Sequence, residues 1–142
     1  MKKLVLTLAL FLTSAMAAND IVMHRDPGCG CCEKWAQQVR AAFGCKIQIV
    51  DDSKRSALQR KVGLPTHRAS CHTALIDGMA FEGHVPVADM KRLLAEKPAG
   101  VKGLAAAGMP LGSPGMEAPG YRNDRYNVIA FGKGQPRVFA RH

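Results

Sequence analysis

The sequence predicts an α/β domain in which a central mixed β-sheet is flanked by helices. Two observations lead to this fold class. Short apolar strand patterns alternate with helical patterns along the chain, and a cluster of cysteines lies at the first junction between a strand and a helix. The 142 residues contain no internal repeat, so one domain is expected. With 47% hydrophobic and 22% charged residues, the composition excludes wholesale disorder.

The beginning of the chain has the features of a secretory signal peptide. Two lysines precede an apolar run over residues 4–12, and Ala15-Met16-Ala17 fits a small-residue cleavage site. We therefore expect residues 1–17 to be removed and residues 18–142 to form the mature, exported domain. The apolar run is shorter than the ~18 residues of a membrane span, so no membrane anchor is expected.

The mature chain is basic, but its charges do not form a nucleic-acid site. Removal of Lys2 and Lys3 leaves 18 basic and 11 acidic residues, which is a net charge of +7. The basic residues are scattered, and no motif combines them with aromatic side chains. We expect no nucleic-acid partner.

The first strand, first helix and second strand follow in order. Residues 21–23 form a short apolar run that stops at the turn residues Asp26-Pro27-Gly28, and they predict the first strand. Apolar residues at helical spacing predict a helix over residues 31–43, with Gly44 placed to cap its C terminus. The alternation over residues 46–50 predicts the second strand.

The middle of the chain predicts a helix and then a hairpin. The second helix is expected to run from a cap at Asp52 or Ser53 to Val62. Residues 73–84 follow as two strands joined by Asp77-Gly78, which is the strongest short turn signal in the chain.

The last third predicts a helix, a long loop and a second hairpin. Pro86 suits the first position of a third helix that ends near Glu96. After Pro98 the composition changes to Gly, Ala, Pro and Met, which predicts an ordered, irregular loop of roughly twenty residues. A compact domain seldom keeps so long a loop without a use for it. Residues 128–140, with Gly132-Lys133-Gly134 inside them, predict the closing hairpin.

The predicted order β-α-β-α-β-β-α is that of a thioredoxin-like domain, and the cysteines stand at the start of its first helix. Cys29 and Cys32 form a Cys-x-x-Cys pair, with Cys31 between them. A helix N terminus stabilises thiolates and makes them reactive. Cys31 and Cys32 are not expected to bridge, because adjacent Cα atoms lie ~3.8 Å apart and relaxed disulfides need about 4.4–6.8 Å. At least one of the three sulfurs is therefore left over.

A fourth cysteine favours metal binding over thiol exchange. In a thioredoxin-like fold the residues that enter the third strand pack against the Cys-x-x-Cys turn, usually with a cis-proline, and here Ser70-Cys71-His72-Thr73 takes that place. Four thiols and an imidazole exceed what two-electron thiol exchange requires. Soft thiolates and thioethers select Cu(I), zinc or iron–sulfur clusters. Met109 and Met116 in the long loop favour Cu(I).

Simpler structural roles remain open for several of these residues. Five cysteines in a secreted chain ordinarily form disulfides, so a binding module stabilised by disulfides is a third possible function. That function does not explain why three of the cysteines lie within four residues. Met109 and Met116 are equally consistent with loop packing. His72 is either a ligand or a hydrogen-bonded, partly buried side chain, and the position of His84 at a strand end is typical of a structural hydrogen bond. Covalent haem is excluded because Glu33, and not histidine, follows the Cys-x-x-Cys motif.

Four segments together match one family. They are residues 26–35 (DPGCGCCEKW), 70–74 (SCHTA), 82–86 (EGHVP) and 108–117 (GMPLGSPGME). In this order they resemble the CopG-type periplasmic proteins, a family long of unknown function and often associated with bacterial copper resistance. The resemblance covers nearly all of the mature chain. It implies a thioredoxin-like fold, a cysteine-bridged cluster of several copper ions, and a role in interconverting Cu(I) and Cu(II).

The resemblance also implies a set of copper ligands. Carried over residue by residue, it assigns the cysteines of the first helix and third strand, with two histidines and two methionines as nearby candidates: Cys29, Cys31, Cys32, Cys71, His72, His84, Met109 and Met116. Cys45 lies outside the shared motifs. Two roles remain open for it: a buried, inert thiol or one half of a disulfide.

The expected function is that of a periplasmic copper-binding protein in copper resistance, with a copper oxidoreductase activity left open. Its partners are copper ions and, if electrons are exchanged, other periplasmic copper-resistance or electron-transfer proteins. The alternative is a periplasmic thiol-disulfide oxidoreductase in which Cys29 attacks a substrate disulfide and Cys32 resolves the mixed disulfide.

Overall fold

A computed structural model describes residues 20–142, and the predicted signal peptide over residues 1–17 lies outside them. The strands are β1 Ile21–Arg25, β2 Ile47–Asp51, β3 His72–Ile76, β4 Met79–Gly83, β5 Val101–Ala106, β6 Asn127–Gly132 and β7 Arg137–Arg141. The helices are α1 Gly30–Phe43, α2 Ser56–Val62 and α3 Val87–Glu96, with a 3-10 turn at Thr66–Arg68.

The seven strands form one mixed sheet in the order β2-β1-β3-β4-β5-β6-β7. The β1–β2 and β4–β5 pairs are parallel, and the other four pairs are antiparallel. The predicted α/β class with a mixed sheet is therefore confirmed. No helix within residues 20–142 combines the length and the apolar composition that crossing a bilayer requires.

Helix α1 forms as the sequence predicts, and its first turn is built by the cysteines. Cys29 is the N-cap, and its sulfur accepts a hydrogen bond from the Cys32 N–H at 3.3 Å. Gly44 ends the helix in the left-handed conformation, with φ of 63°. The buried side chains recur at helical spacing and pack into the main core: Cys32, Trp35, Ala36 and Val39.

Helix α2 starts later than predicted. It begins at Ser56, and its N-cap is Arg55, which makes no side-chain capping bond. The expected cap at Asp52 or Ser53 was wrong, because the Asp52 carboxylate accepts the Lys54 N–H at 2.9 Å and closes a separate turn before the helix. The predicted end of the helix is confirmed.

The β3–β4 hairpin is also confirmed. Asp77 and Gly78 both have positive φ, 49° and 76°, as a tight Asp-Gly hairpin turn requires. Pro86 stands immediately before α3 as its N-cap and not at its first position, a difference of one residue.

Strand β5 is the main element that the sequence analysis missed, since an irregular loop was expected to follow Pro98. The sequence of β5 is Val-Lys-Gly-Leu-Ala-Ala, which has few of the β-branched and aromatic residues that are typical of strands. Its small residues are needed because β5 lies between two strands: a Cβ on Gly103 would come within 2.0 Å of the Ala80 carbonyl oxygen and 2.7 Å of the Phe131 ring. The long loop therefore spans residues 107–126, and the closing hairpin of β6 and β7 is confirmed.

Candidate metal centre

The register of two antiparallel strands brings the separate cysteines together. Arg25 at the end of β1 pairs with His72 at the start of β3. One residue beyond this pair, the Asp26 N–H donates to the Cys71 carbonyl at 3.0 Å. Cys71 therefore lies beside the turn that leads from β1 into Cys29, which is the place that the sequence predicts for it.

Four sulfur atoms form the centre of the site. The Sγ atoms of Cys29, Cys31, Cys32 and Cys71 all lie within 4.8 Å of one another. Cys29 and Cys32 form a disulfide, whereas Cys31 and Cys71 are free thiols. Cys31 Sγ lies 3.5 Å from Cys29 Sγ. Once the disulfide is reduced, this donor set has the softness and spacing of a thiolate metal site.

Two imidazoles extend the cluster on its buried side. Cys71 Sγ lies 3.1 Å from His84 Nε2 and 3.5 Å from His72 Nδ1, and one ligand atom from each of these residues lies within 4.8 Å of the others. His84 Nδ1 donates to the Pro114 carbonyl at 2.8 Å, which leaves the Nε2 lone pair facing the sulfur. His84 thus makes a structural hydrogen bond and also faces the cluster.

His72 is enclosed by rings. Its imidazole lies 4.5 Å from the Trp35 ring and 5.1 Å from the His84 ring, measured between centroids. It is fully buried, and its Nε2 has no hydrogen-bond partner among the described residues. The nitrogen that faces the cluster is Nδ1, 3.5 Å from Cys71 Sγ, and a neutral buried imidazole can offer this nitrogen to a metal.

Burial sets the protonation of the metal-free cluster. It raises the pKa of the Cys71 thiol to about 12, with the neighbouring Cys31 thiol adding to the shift. Burial also lowers the pKa of His84 and holds the pKa of His72 well below its ordinary value. At neutral pH the imidazoles are therefore neutral, whereas Cys71 is protonated and must lose its proton to bind a metal.

The long loop over residues 107–126 folds onto the cysteine turn. Met109 Sδ lies 3.8 Å from Cys31 Sγ. Met116 lines a groove of about 370 Å³ beside Cys31. Gly115 packs so closely that a Cβ there would come within 2.7 Å of the Cys31 carbonyl oxygen. The structure thus brings Met109 to the cysteine sulfurs and places Met116 at the edge of the site.

Cys45 lies outside both groups of candidate ligands. It is a partly buried free thiol just before β2 and packs against the main core. Burial, with a contribution from the Asp20 carboxylate, raises the pKa of its thiol. A raised pKa keeps the Cys45 thiol protonated at neutral pH, so it is less reactive than an ordinary exposed thiol.

The sequence analysis missed a buried polar network centred on Glu82. The carboxylate is fully buried and accepts hydrogen bonds from the Ser70 N–H at 2.7 Å, Gln59 Nε2 at 2.8 Å, Arg55 Nη1 at 3.3 Å and Thr73 Oγ1. Burial raises the pKa of Glu82. An acidic residue in the otherwise apolar pattern of β4 was the signal that could have revealed this network.

The arginine of this network connects the two cysteine segments. Arg55 Nη2 donates to Asp26 Oδ1 at 2.6 Å and to the Ser70 carbonyl at 2.7 Å. Asp26 also accepts the Cys29 N–H through its own carbonyl. Ser70 immediately precedes Cys71. The network therefore fixes the cysteine turn and the Cys71 segment in relation to each other.

Two solved structures are similar to this chain over most of its length. They are named "Copper resistance protein copG", form 1 and form 2, and each is 41% identical to the chain with a TM-score of 0.78. The alignments cover 87% of this chain, 97% of the form 2 chain and 96% of the form 1 chain.

The chain belongs to the CopG family. A family described as "Protein of unknown function, DUF411" also matches residues 68–116, the part of this CopG family member that carries Cys71, both candidate histidines and both loop methionines. No curated protein sequence gives a significant match. CopG family membership confirms the resemblance that the four sequence motifs indicated.

Proposed function

We propose that this protein binds Cu(I) through the four clustered cysteines, Cys29, Cys31, Cys32 and Cys71. The observation that carries this proposal is the separation of their sulfur atoms, all within 4.8 Å of one another. Thiolates are soft ligands that select Cu(I). The names of the two solved relatives, which are copper resistance proteins, support copper over zinc or iron–sulfur.

The cluster is proposed to hold more than one ion. Four sulfurs at these separations can bridge metals, because a thiolate can bind two ions at once. The neutral imidazoles of His72 and His84 approach from the buried side, and the thioethers of Met109 and Met116 lie near the more exposed Cys31. The imidazoles complete the coordination of ions that the cysteines share, and the thioethers offer further bonds to copper when protons compete for the thiolates.

The same donor set supports interconversion of Cu(I) and Cu(II), which would make the protein a copper oxidoreductase. The sulfur side suits Cu(I), whereas imidazole nitrogen binds copper in either oxidation state. We place this activity in the periplasm because the first residues have the pattern of a secretory signal peptide. Its electron partner would be another periplasmic copper-resistance or electron-transfer protein.

Anaerobic titration tests the copper proposal. The reduced mature protein should take up more than one equivalent of Cu(I) per chain in competition with a chelator. Cys45→Ser serves as the matched control, since this cysteine lies outside the cluster, and it should load like the parent. Saturation at one equivalent or fewer rejects the cluster.

One observation favours a second candidate, a thiol-disulfide oxidoreductase. The Cys29–Cys32 disulfide stands at the N terminus of α1, where Cys29 would attack a substrate disulfide and Cys32 would resolve it. The variants Cys31→Ser and Cys71→Ser discriminate the two functions. Both should lose copper if the first proposal holds, whereas both should keep disulfide-reducing activity if the second one does.

A further inference from the structure

The candidate ligands differ sharply in their access to solvent. His72 and His84 are fully buried, and Cys71 is 8% exposed. Cys31 is partly exposed, and Met109 is 52% exposed. The cluster therefore has a buried imidazole end and an open sulfur end.

The loop over residues 107–126 covers the buried end. Ser70 Oγ donates to the Gly108 carbonyl, and His84 Nδ1 donates to the Pro114 carbonyl at 2.8 Å. These two contacts hold the loop backbone against the segments that carry the inner ligands. Among the described candidate ligands, the more exposed sulfur end is therefore the side that faces solvent.

The sulfurs at the open end are spaced closely enough for an ion to move from one to the next. Met109 Sδ lies 3.8 Å from Cys31 Sγ, and Cys31 Sγ lies 3.5 Å from Cys29 Sγ. With metal–sulfur bonds of ~2.3 Å, as in zinc sites, two sulfurs on one ion can lie up to ~4.6 Å apart. An ion can therefore bind the next sulfur before it leaves the previous one.

We propose that Met109 and Cys31 form the entrance through which Cu(I) passes from a complex in solution to the inner cluster. The inference rests on the proposed Cu(I) binding. The thioether of Met109 is neutral and carries no proton, so it binds Cu(I) without losing one.

The transfer is a ligand exchange without a change of oxidation state. A bond from copper to the incoming complex breaks as the bond to Met109 Sδ forms. The Cys31 thiol then passes its proton to water as its sulfur binds copper. The inner thiols, Cys71 among them, likewise pass their protons to water as their sulfurs bind copper. The bond from copper to Met109 breaks as these bonds form, because a thiolate is a stronger ligand than a thioether.

Loading kinetics test the entrance. Reduced protein is mixed anaerobically with the Cu(I) complex of bicinchoninate in a stopped-flow instrument, and the decay of the complex is followed to its end point. Met109→Leu keeps the apolar bulk and removes the sulfur. It should load more slowly by about tenfold, taking the lower end of the ~10–100-fold loss in affinity or activity that follows removal of a residue supporting a metal site, and it should reach the parental end point.

Met79→Leu is the matched control, because Met79 lies at the end of β4 remote from His84 and packs against the core. It should load at the parental rate. Met109→Leu at the parental rate would overturn the entrance, and a reduced end point would make Met109 a resident ligand instead. Failure of the parent itself to take copper from the complex would reject the proposed function, which is a different outcome.

Discussion

A methyl group placed on Gly115 should separate the long loop from the cysteine turn. Gly115 has φ of +83°, and an added Cβ would lie 2.7 Å from the Cys31 carbonyl oxygen and 2.8 Å from the backbone nitrogen of Trp35. A side chain in the left-handed region costs about 1–2 kcal/mol. Overpacking against two fixed backbone atoms adds about 1–3 kcal/mol, so Gly115→Ala should lower the free energy of unfolding by about 2–5 kcal/mol.

Gly120→Ala isolates the packing contribution. Gly120 lies in the same loop with φ of +87°, and nothing stands within 4 Å of its added Cβ. Only the backbone cost of about 1–2 kcal/mol applies there. The difference between the two variants is therefore the cost of overpacking against α1.

Urea unfolding and limited proteolysis measure the two effects. Trp35 is the only tryptophan and lies in the core under the loop, so its fluorescence reports unfolding. Trypsin cleavage after the exposed residues Arg122 and Arg125 reports release of the loop, and it should be faster in Gly115→Ala than in Gly120→Ala. Equal stabilities and equal cleavage rates in the two variants would refute the docking of the loop on the cysteine turn.

Three further predictions follow from the site. Glu82→Gln should lower the free energy of unfolding by about 1.5–3 kcal/mol in urea titration, because it removes the charged acceptor from Arg55, which keeps Asp26 as its second partner; a change below about 0.5 kcal/mol would contradict the network. Cys71→Ser should reduce copper loading as severely as Cys31→Ser by metal analysis, and a Cys71 variant that loads normally would remove it from the ligand set. The double variant Met109→Leu, Met116→Leu should retain most copper at neutral pH but lose it preferentially near pH 5, because protons compete with copper for thiolates and not for thioethers. Copper retention equal to the parent's across that range would make the methionines loop filler.

Local signals in the sequence were sufficient for the elements that position the cysteines. The turn before Cys29, the helical spacing of α1 and the Asp77-Gly78 hairpin each depend on neighbours within a few residues. Those elements fix which strand Cys71 enters, so a residue distant in sequence could still be placed beside the turn. The type and the spacing of neighbouring residues are enough to predict such elements.

The features that were missed depend on partners distant in the chain. Strand β5 needs Gly103 and small neighbours because it lies between β4 and β6, which leave no room for a larger side chain at Gly103. Considered without these partners, a run of small residues predicts a loop and not a strand. The Arg55–Glu82 pair joins α2 to β4 without a periodic pattern. Helix α2 starts later than predicted because the Asp52 carboxylate accepts the Lys54 N–H in a turn before the helix and does not cap it.

The most direct test of the central claim is a combined count of copper and reactive thiols on protein isolated from copper-fed cells. The sequence has five cysteines, four of them in the proposed cluster. The account predicts more than one copper per chain and, in the native state, reaction of a thiol reagent with at most one thiol, that of Cys45. Copper at or below one equivalent, with the cluster thiols free to react, would contradict it.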